Sequence, residues 1–200
     1  MKKKIINGCL NVVKKKFPEY DEEKISVIKY GLESIYLTIT KLIIIALLAY
    51  IIGILKEVVI FLLIYNVMRT FSFGLHATKS WICLVSSTLI FISSPLICKY
   101  VYIPIWCKVI TGIILLFLYF KNAPADTKKR PIVNPKRRLF FKYISVLTCI
   151  LFIFLSIFIK NNFISNCFIL SLIVQACMIS PFVYKIFGLP YNNYLSYQAA

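Results

Sequence analysis

LESIYLTITKLIIIALLAYIIGIL, residues 32–55, carries only two charged side chains, Glu33 and Lys41. A bilayer core of about 30 Å takes about 20 mostly apolar residues of helix to cross, and this stretch supplies them without interruption. Comparable windows follow at 57–75, 81–100, 102–120, 139–159 and 163–184. With 60% of the 200 residues hydrophobic and 16% charged, the chain lies outside the range of ordinary soluble domains. The pattern predicts an all-α fold, a polytopic membrane bundle of about six transmembrane helices. No internal repeat accompanies it, so an inverted-repeat transporter gains no support.

Ahead of the first span, Ile5, Ile6, Cys9, Leu10, Val12 and Val13 recur at helical spacing between two lysine triplets, Lys2 to Lys4 and Lys14 to Lys16. That arrangement predicts an amphipathic helix lying at the membrane interface. Pro18 ends it, and the acidic group Glu19, Asp21, Glu22 and Glu23 starts a second helix that runs into span 1. A charged stretch and an acidic cluster in this place are not the pattern of a cleavable signal peptide. The expected organisation is a cytoplasmic amphipathic segment at 1–30, a six-span domain at 31–185 and a cytoplasmic tail at 186–200.

The net charge of +17 would point to nucleic acid in a soluble protein, but here the basic residues sort by side. With the N-terminus in the cytoplasm, 19 of the 24 Lys and Arg fall in cytoplasmic segments, against Lys56, Lys99 and Lys160 in the outer loops. Such asymmetry is what the positive-inside rule expects of a six-span bacterial membrane protein with both termini inside. The partner that the charge implies is therefore anionic membrane lipid, and no nucleic acid is expected. Seven cysteines, at 9, 83, 98, 107, 149, 167 and 177, lack disulfide or metal spacing. Neither metal nor cofactor is expected.

Chemistry concentrates in RTFSFGLHATKSWIC, residues 69–83, which holds the chain's one histidine, His76, seven residues before Cys83. On one straight helix that spacing separates the two by about 10 Å of rise, too far for a hydrogen bond. A break is required between them. Gly74 permits irregular backbone, and Thr78 or Ser80 can cap a new helix beginning near Trp81. Cys83 then occupies a first helical turn, where the helix end and a neighbouring imidazolium both stabilise a thiolate. The plainer reading is that Cys83 packs and His76 sits at the interface.

The flanking residues favour chemistry. MRTFSFGLHATKSWIC and NAPADTKKRPI resemble the AgrB family, the accessory gene regulator B membrane endopeptidases that mature quorum-sensing peptides. The first stretch matches the family's arginine, glycine pair, His-Ala and catalytic cysteine; the second matches its proline-rich basic loop at Ala123 to Ile132. The resemblance implies a Cys83–His76 dyad, an AgrD-like peptide precursor as substrate, a thiolactone product and a homodimer. Phe73 departs from the pattern, standing where the family commonly has the first of two adjacent glycines, and so questions any need for two flexible residues.

Arg69 is both a topology anchor and a candidate group for substrate carboxylates or carbonyls. With Gly74, Lys128, Lys129 and Arg130 it completes the expected substrate contacts, since precursors of this family end in an acidic segment. Glu33, where span 1 enters the bilayer, is expensive there unless paired; it is the first candidate to orient His76, with Asp126 second. The blander reading of Asp126 is a helix-start cap. Rival readings are a small transporter or channel, in which His76, Arg69 and Glu33 line a path, and a non-enzymatic partner of a signalling kinase.

Overall fold

The computed structural model describes residues 2–75, 80–127 and 131–198. His76, Lys128, Lys129 and Arg130 lie outside the described residues. Two compact units divide the chain, Met1–Leu48 and Ala49–Ala200.

In the first unit, α1 (Lys2–Lys16) buries Ile6 and Leu10, four residues apart on one face, and exposes Ile5, Val12, Lys14, Lys15 and Lys16. The apolar stripe is thus narrower than the sequence suggested. Asp21 caps the next helix, its Oδ1 accepting from the Lys24 N–H at 2.8 Å. That helix, α2 (Glu22–Ile52), runs 31 residues without a break. It ends at Gly53 (φ +76), where the Gly53 N–H bonds the Tyr50 carbonyl and the Ile54 N–H the Ala49 carbonyl. This paired closure satisfies carbonyls that the helix end would otherwise leave open.

The second unit is a helical bundle built from α3 (Leu55–Ser72), α4 (Ser80–Tyr100), α5 (Ile105–Asn122), α6 (Pro135–Phe158) and α7 (Asn162–Ile179). Among the described residues, five helices, α2 and α4 to α7, are long and apolar enough to cross a membrane. α3 is of similar length but carries Lys56, Glu57 and Arg69 near its ends. α7 packs against α3, α4, α5 and α6, and it buries side chains around its whole circumference, as a central helix must. Ile169, Leu172 and Ile179 join Met68, Leu115, Tyr119, Cys149 and Phe152 in the core. The outward faces stay apolar, with Leu63, Leu89, Ile113, Phe117 and Leu147 exposed, as expected of surfaces whose solvent is lipid.

The helix ends depart from the hydropathy windows for local reasons. α6 starts at Pro135, four residues before its window, because Asn134 accepts from the N–H groups of Lys136 and Arg137 and proline suits the first helical position. α7 stops at Ile179, five residues short of its window, because Pro181 cannot continue it; a short α8 (Pro181–Ile186) follows, and α9 (Leu195–Gln198) lies near the C-terminus. One buried cation ties two spans: Lys108 of α5, 4% exposed, donates to the Ser165 hydroxyl of α7 at 2.6 Å.

Candidate functional site

α3 ends four residues before His76. Ser72 closes that helix, its hydroxyl donating to the Met68 carbonyl at 2.7 Å. The next two residues both take positive φ, Phe73 at +56 and Gly74 at +108. Glycine adopts such angles freely, whereas a phenylalanine there is strained by about 1–3 kcal/mol. The departure at Phe73 therefore does not spare the backbone its turn; both residues need left-handed geometry. Contacts around Phe73 offset the strain, and its ring meets Phe141 edge-on with centroids 4.9 Å apart.

Residues 72–75 are then held from three directions. From the connection after α5, Ala125 makes a parallel bridge with Phe73: its N–H donates to the Ser72 carbonyl and its carbonyl accepts from the Gly74 N–H at 2.8 Å. From α7, the Met178 carbonyl accepts from the Leu75 N–H at 2.9 Å, and Gln175 Nε2 donates to both Ser72 Oγ and the Phe73 carbonyl, each at 2.6 Å. From α3 itself, Arg69 Nη2 donates to the Leu75 carbonyl at 2.7 Å. Gly74 has no room for a side chain, because a Cβ would stand 2.8 Å from the Met178 carbonyl oxygen and 3.1 Å from Arg69 Nη1. Its role here is to let three backbones approach.

Arg69 thus has an assigned structural contact on one nitrogen. Its Nη1 is buried and has no hydrogen-bond partner among the described residues. The Tyr65 side chain, one turn earlier on α3, interacts with the same guanidinium.

Beyond this segment, Cys83 lies on α4 (Ser80–Tyr100), nine residues after Gly74. Cys83 is partly exposed, in contrast to Cys98, Cys149 and Cys167, which are buried in the bundle. Its carbonyl receives a long hydrogen bond from the Ser86 hydroxyl, at 3.4 Å.

Asp126, two residues after a cis Ala123–Pro124 peptide bond, is 2% exposed. Among the described residues it caps no helix that follows it. Oδ1 accepts from the Asn193 N–H and Oδ2 from the Tyr194 N–H, both at 2.9 Å, and Oδ2 also from the Ile132 N–H at 3.4 Å. Its main-chain carbonyl accepts from the Tyr184 hydroxyl at 2.9 Å. Burial pushes the Tyr184 phenol above its ordinary range, so it donates as a neutral hydroxyl. The Arg138 guanidinium lies 3.4 Å from the centroid of the Tyr194 ring, pinning the same tail to α6. Glu33 is partly buried on α2, within the first unit.

Four participants escaped the sequence reading: Gln175, Ser72, Tyr184 and Asn193. Gln175 left a usable signal, a carboxamide inside FILSLIVQACMI, since a polar side chain is costly in a membrane span unless it has a task. The others left none, because their partners are distant in sequence.

Residues 6–179 match the family model described as accessory gene regulator B. An AgrB-like protein of Clostridium acetobutylicum is 34% identical over 171 residues, covering 86% of this chain and 82% of that protein. One of Listeria monocytogenes is 29% identical over 178 residues, with 89% and 87% covered, and one of Clostridium perfringens 31% identical over 153, with 72% of each covered. No solved structure matches the chain significantly. The chain therefore belongs to the accessory gene regulator B family of multi-pass membrane proteins, which connects it to the accessory gene regulator system.

Proposed function

We propose that the protein is a membrane cysteine endopeptidase that cuts an AgrD-like precursor and closes the released peptide into a thiolactone. The observation that carries this reading is the position of Cys83: partly exposed on α4, nine residues after a firmly held Gly74 at the end of α3. His76 takes the thiol proton, and the Cys83 sulfur attacks the carbonyl that will become the new C-terminus. His76 returns that proton to the leaving amine, leaving a thioester on Cys83. A cysteine thiol inside the precursor then attacks the thioester, the ring closes, and the Cys83 thiol is restored. Exclusion of water protects the thioester during closure.

Arg69 Nη1 receives a carbonyl or carboxylate of the precursor, and Lys128, Lys129 and Arg130 receive its acidic segment. Co-expression with a candidate precursor, read by mass spectrometry, tests the activity. The expected product is a shortened peptide lighter by one water than its hydrolysed form; an intact precursor beside well-expressed protein overturns the reading.

The charge asymmetry supports placing both termini, the 121–138 connection and the reaction at the cytoplasmic face, with anionic lipid against the lysine-rich segments. Family membership supports a homodimer. Reporter fusions at the C-terminus should read as cytoplasmic, and cross-linking in native membranes should trap a dimer. An external reporter signal refutes the orientation, and monomers alone refute the dimer.

A further inference from the structure

We infer that Gln175 is a positioning residue for the Cys83–His76 reaction, holding the strained turn from which the chain continues to His76. The inference rests on the function proposed above. Its starting point is a carboxamide that is 0% exposed at the core of an apolar bundle. Burying an amide is costly unless its polar atoms are paired, and an apolar residue of the same size would pack there without that cost. Both hydrogens of Gln175 Nε2 have partners, the Ser72 hydroxyl and the Phe73 carbonyl, each at 2.6 Å.

Those partners explain the amide's presence. Ser72 is the last residue of α3, and Phe73 is strained at φ +56. The carbonyl of a residue turned out of the helix finds no donor along its own helix, and Gln175 supplies one from across the bundle. Its Oε1 is buried and without a hydrogen-bond partner among the described residues, so the side chain serves the turn through its donors alone. One turn further along α7, the Met178 carbonyl holds the Leu75 N–H. α7 thereby grips residues 72–75 at two points, and Leu75 is the immediate neighbour of His76. Release of the Phe73 carbonyl frees the turn to relax toward ordinary φ, which displaces everything that follows. Displacements of about 1 Å in a reacting group cost up to about 100-fold in rate.

Gln175→Met keeps length and apolar bulk while removing both donors. In purified full-length protein, with the precursor as substrate, the expected result is a fall in kcat of about tenfold or more with KM within about twofold. The second readout is the alkylation rate of Cys83, followed peptide by peptide against the exposed Cys9 as internal reference. Q175M should slow Cys83 relative to Cys9 in the otherwise native protein and produce no further slowing in a His76→Ala background, because the two act on the thiol as one unit. Gln175→Asn keeps the amide but falls one methylene short of Phe73, and should show the same pattern in milder form if Q175M accumulates poorly. Additive slowing in the H76A background, or cleavage at the native rate by both variants, overturns the inference. Failure of the native protein to cut the precursor strikes the proposed function instead, so the two are told apart.

Discussion

Protein carrying Cys83→Ser is expected to fold, insert and bind the precursor, yet to release no cut peptide. Serine preserves size and polarity, but its hydroxyl is a far weaker acid than a thiol, and His76 at neutral pH removes little of its proton. The expected loss is on the order of 1000-fold or more in cleavage rate. The other cysteines supply the contrast. Cys98, Cys149 and Cys167 are 1%, 0% and 0% exposed, so Ala at these positions opens small cavities and lowers the melting temperature while leaving cleavage measurable. Ala at Cys107 or Cys177, neither of which is fully buried, should cost less. His76→Ala should match C83S, and the double variant should be no worse than either, since nucleophile and base act together. A purified C83S protein that cuts its precursor at a rate near native refutes the mechanism.

The second large effect is structural. Asp126→Ala strips partners from the buried Asn193 N–H and the partly buried Tyr194 N–H and from the weaker contact to Ile132. Each buried donor left unpaired costs about 1–3 kcal/mol, so a loss of about 3 kcal/mol in stability is expected. The C-terminal tail should come away from the bundle first, and trypsin should cut faster after the exposed Lys185. Asp126→Asn keeps one acceptor oxygen and should fall between the two. Melting in detergent and timed proteolysis measure both quantities. A D126A protein with unchanged melting and an intact tail, but no cleavage, would move Asp126 from architecture to chemistry as the acid that orients His76.

These effects also mark the limit of what the sequence discloses. The bundle was legible because about 20 consecutive apolar residues have few other uses, and the break before His76 was legible because Gly74 stands at it. Helix ends were read less well: a window average registers the apolarity of residues 180–184 but not Pro181, and it misses the Asn134 cap that starts α6 early. A helix-start cap was the plainer reading of Asp126 because that role is local, whereas its two shortest contacts lie 67 and 68 residues downstream. Gln175 was passed over for the same reason, its acceptors being 102 and 103 residues upstream. Periodicity and caps are properties of neighbours along the chain, while the contacts that shape residues 72–75 are made between segments that meet only after folding.

Those separations also order events during synthesis, because a chain leaves the ribosome N-terminus first. When α3 and α4 have emerged, the turn between them has its own Arg69 contact and nothing from α7 or the 123–126 connection. Ala125 arrives next. Gln175 and Met178 come only with α7, and the Asn193 and Tyr194 N–H groups that meet Asp126 come later still. Cys83 is thus made early and the framework around residues 72–75 late, so that framework completes only once α7 has joined the bundle.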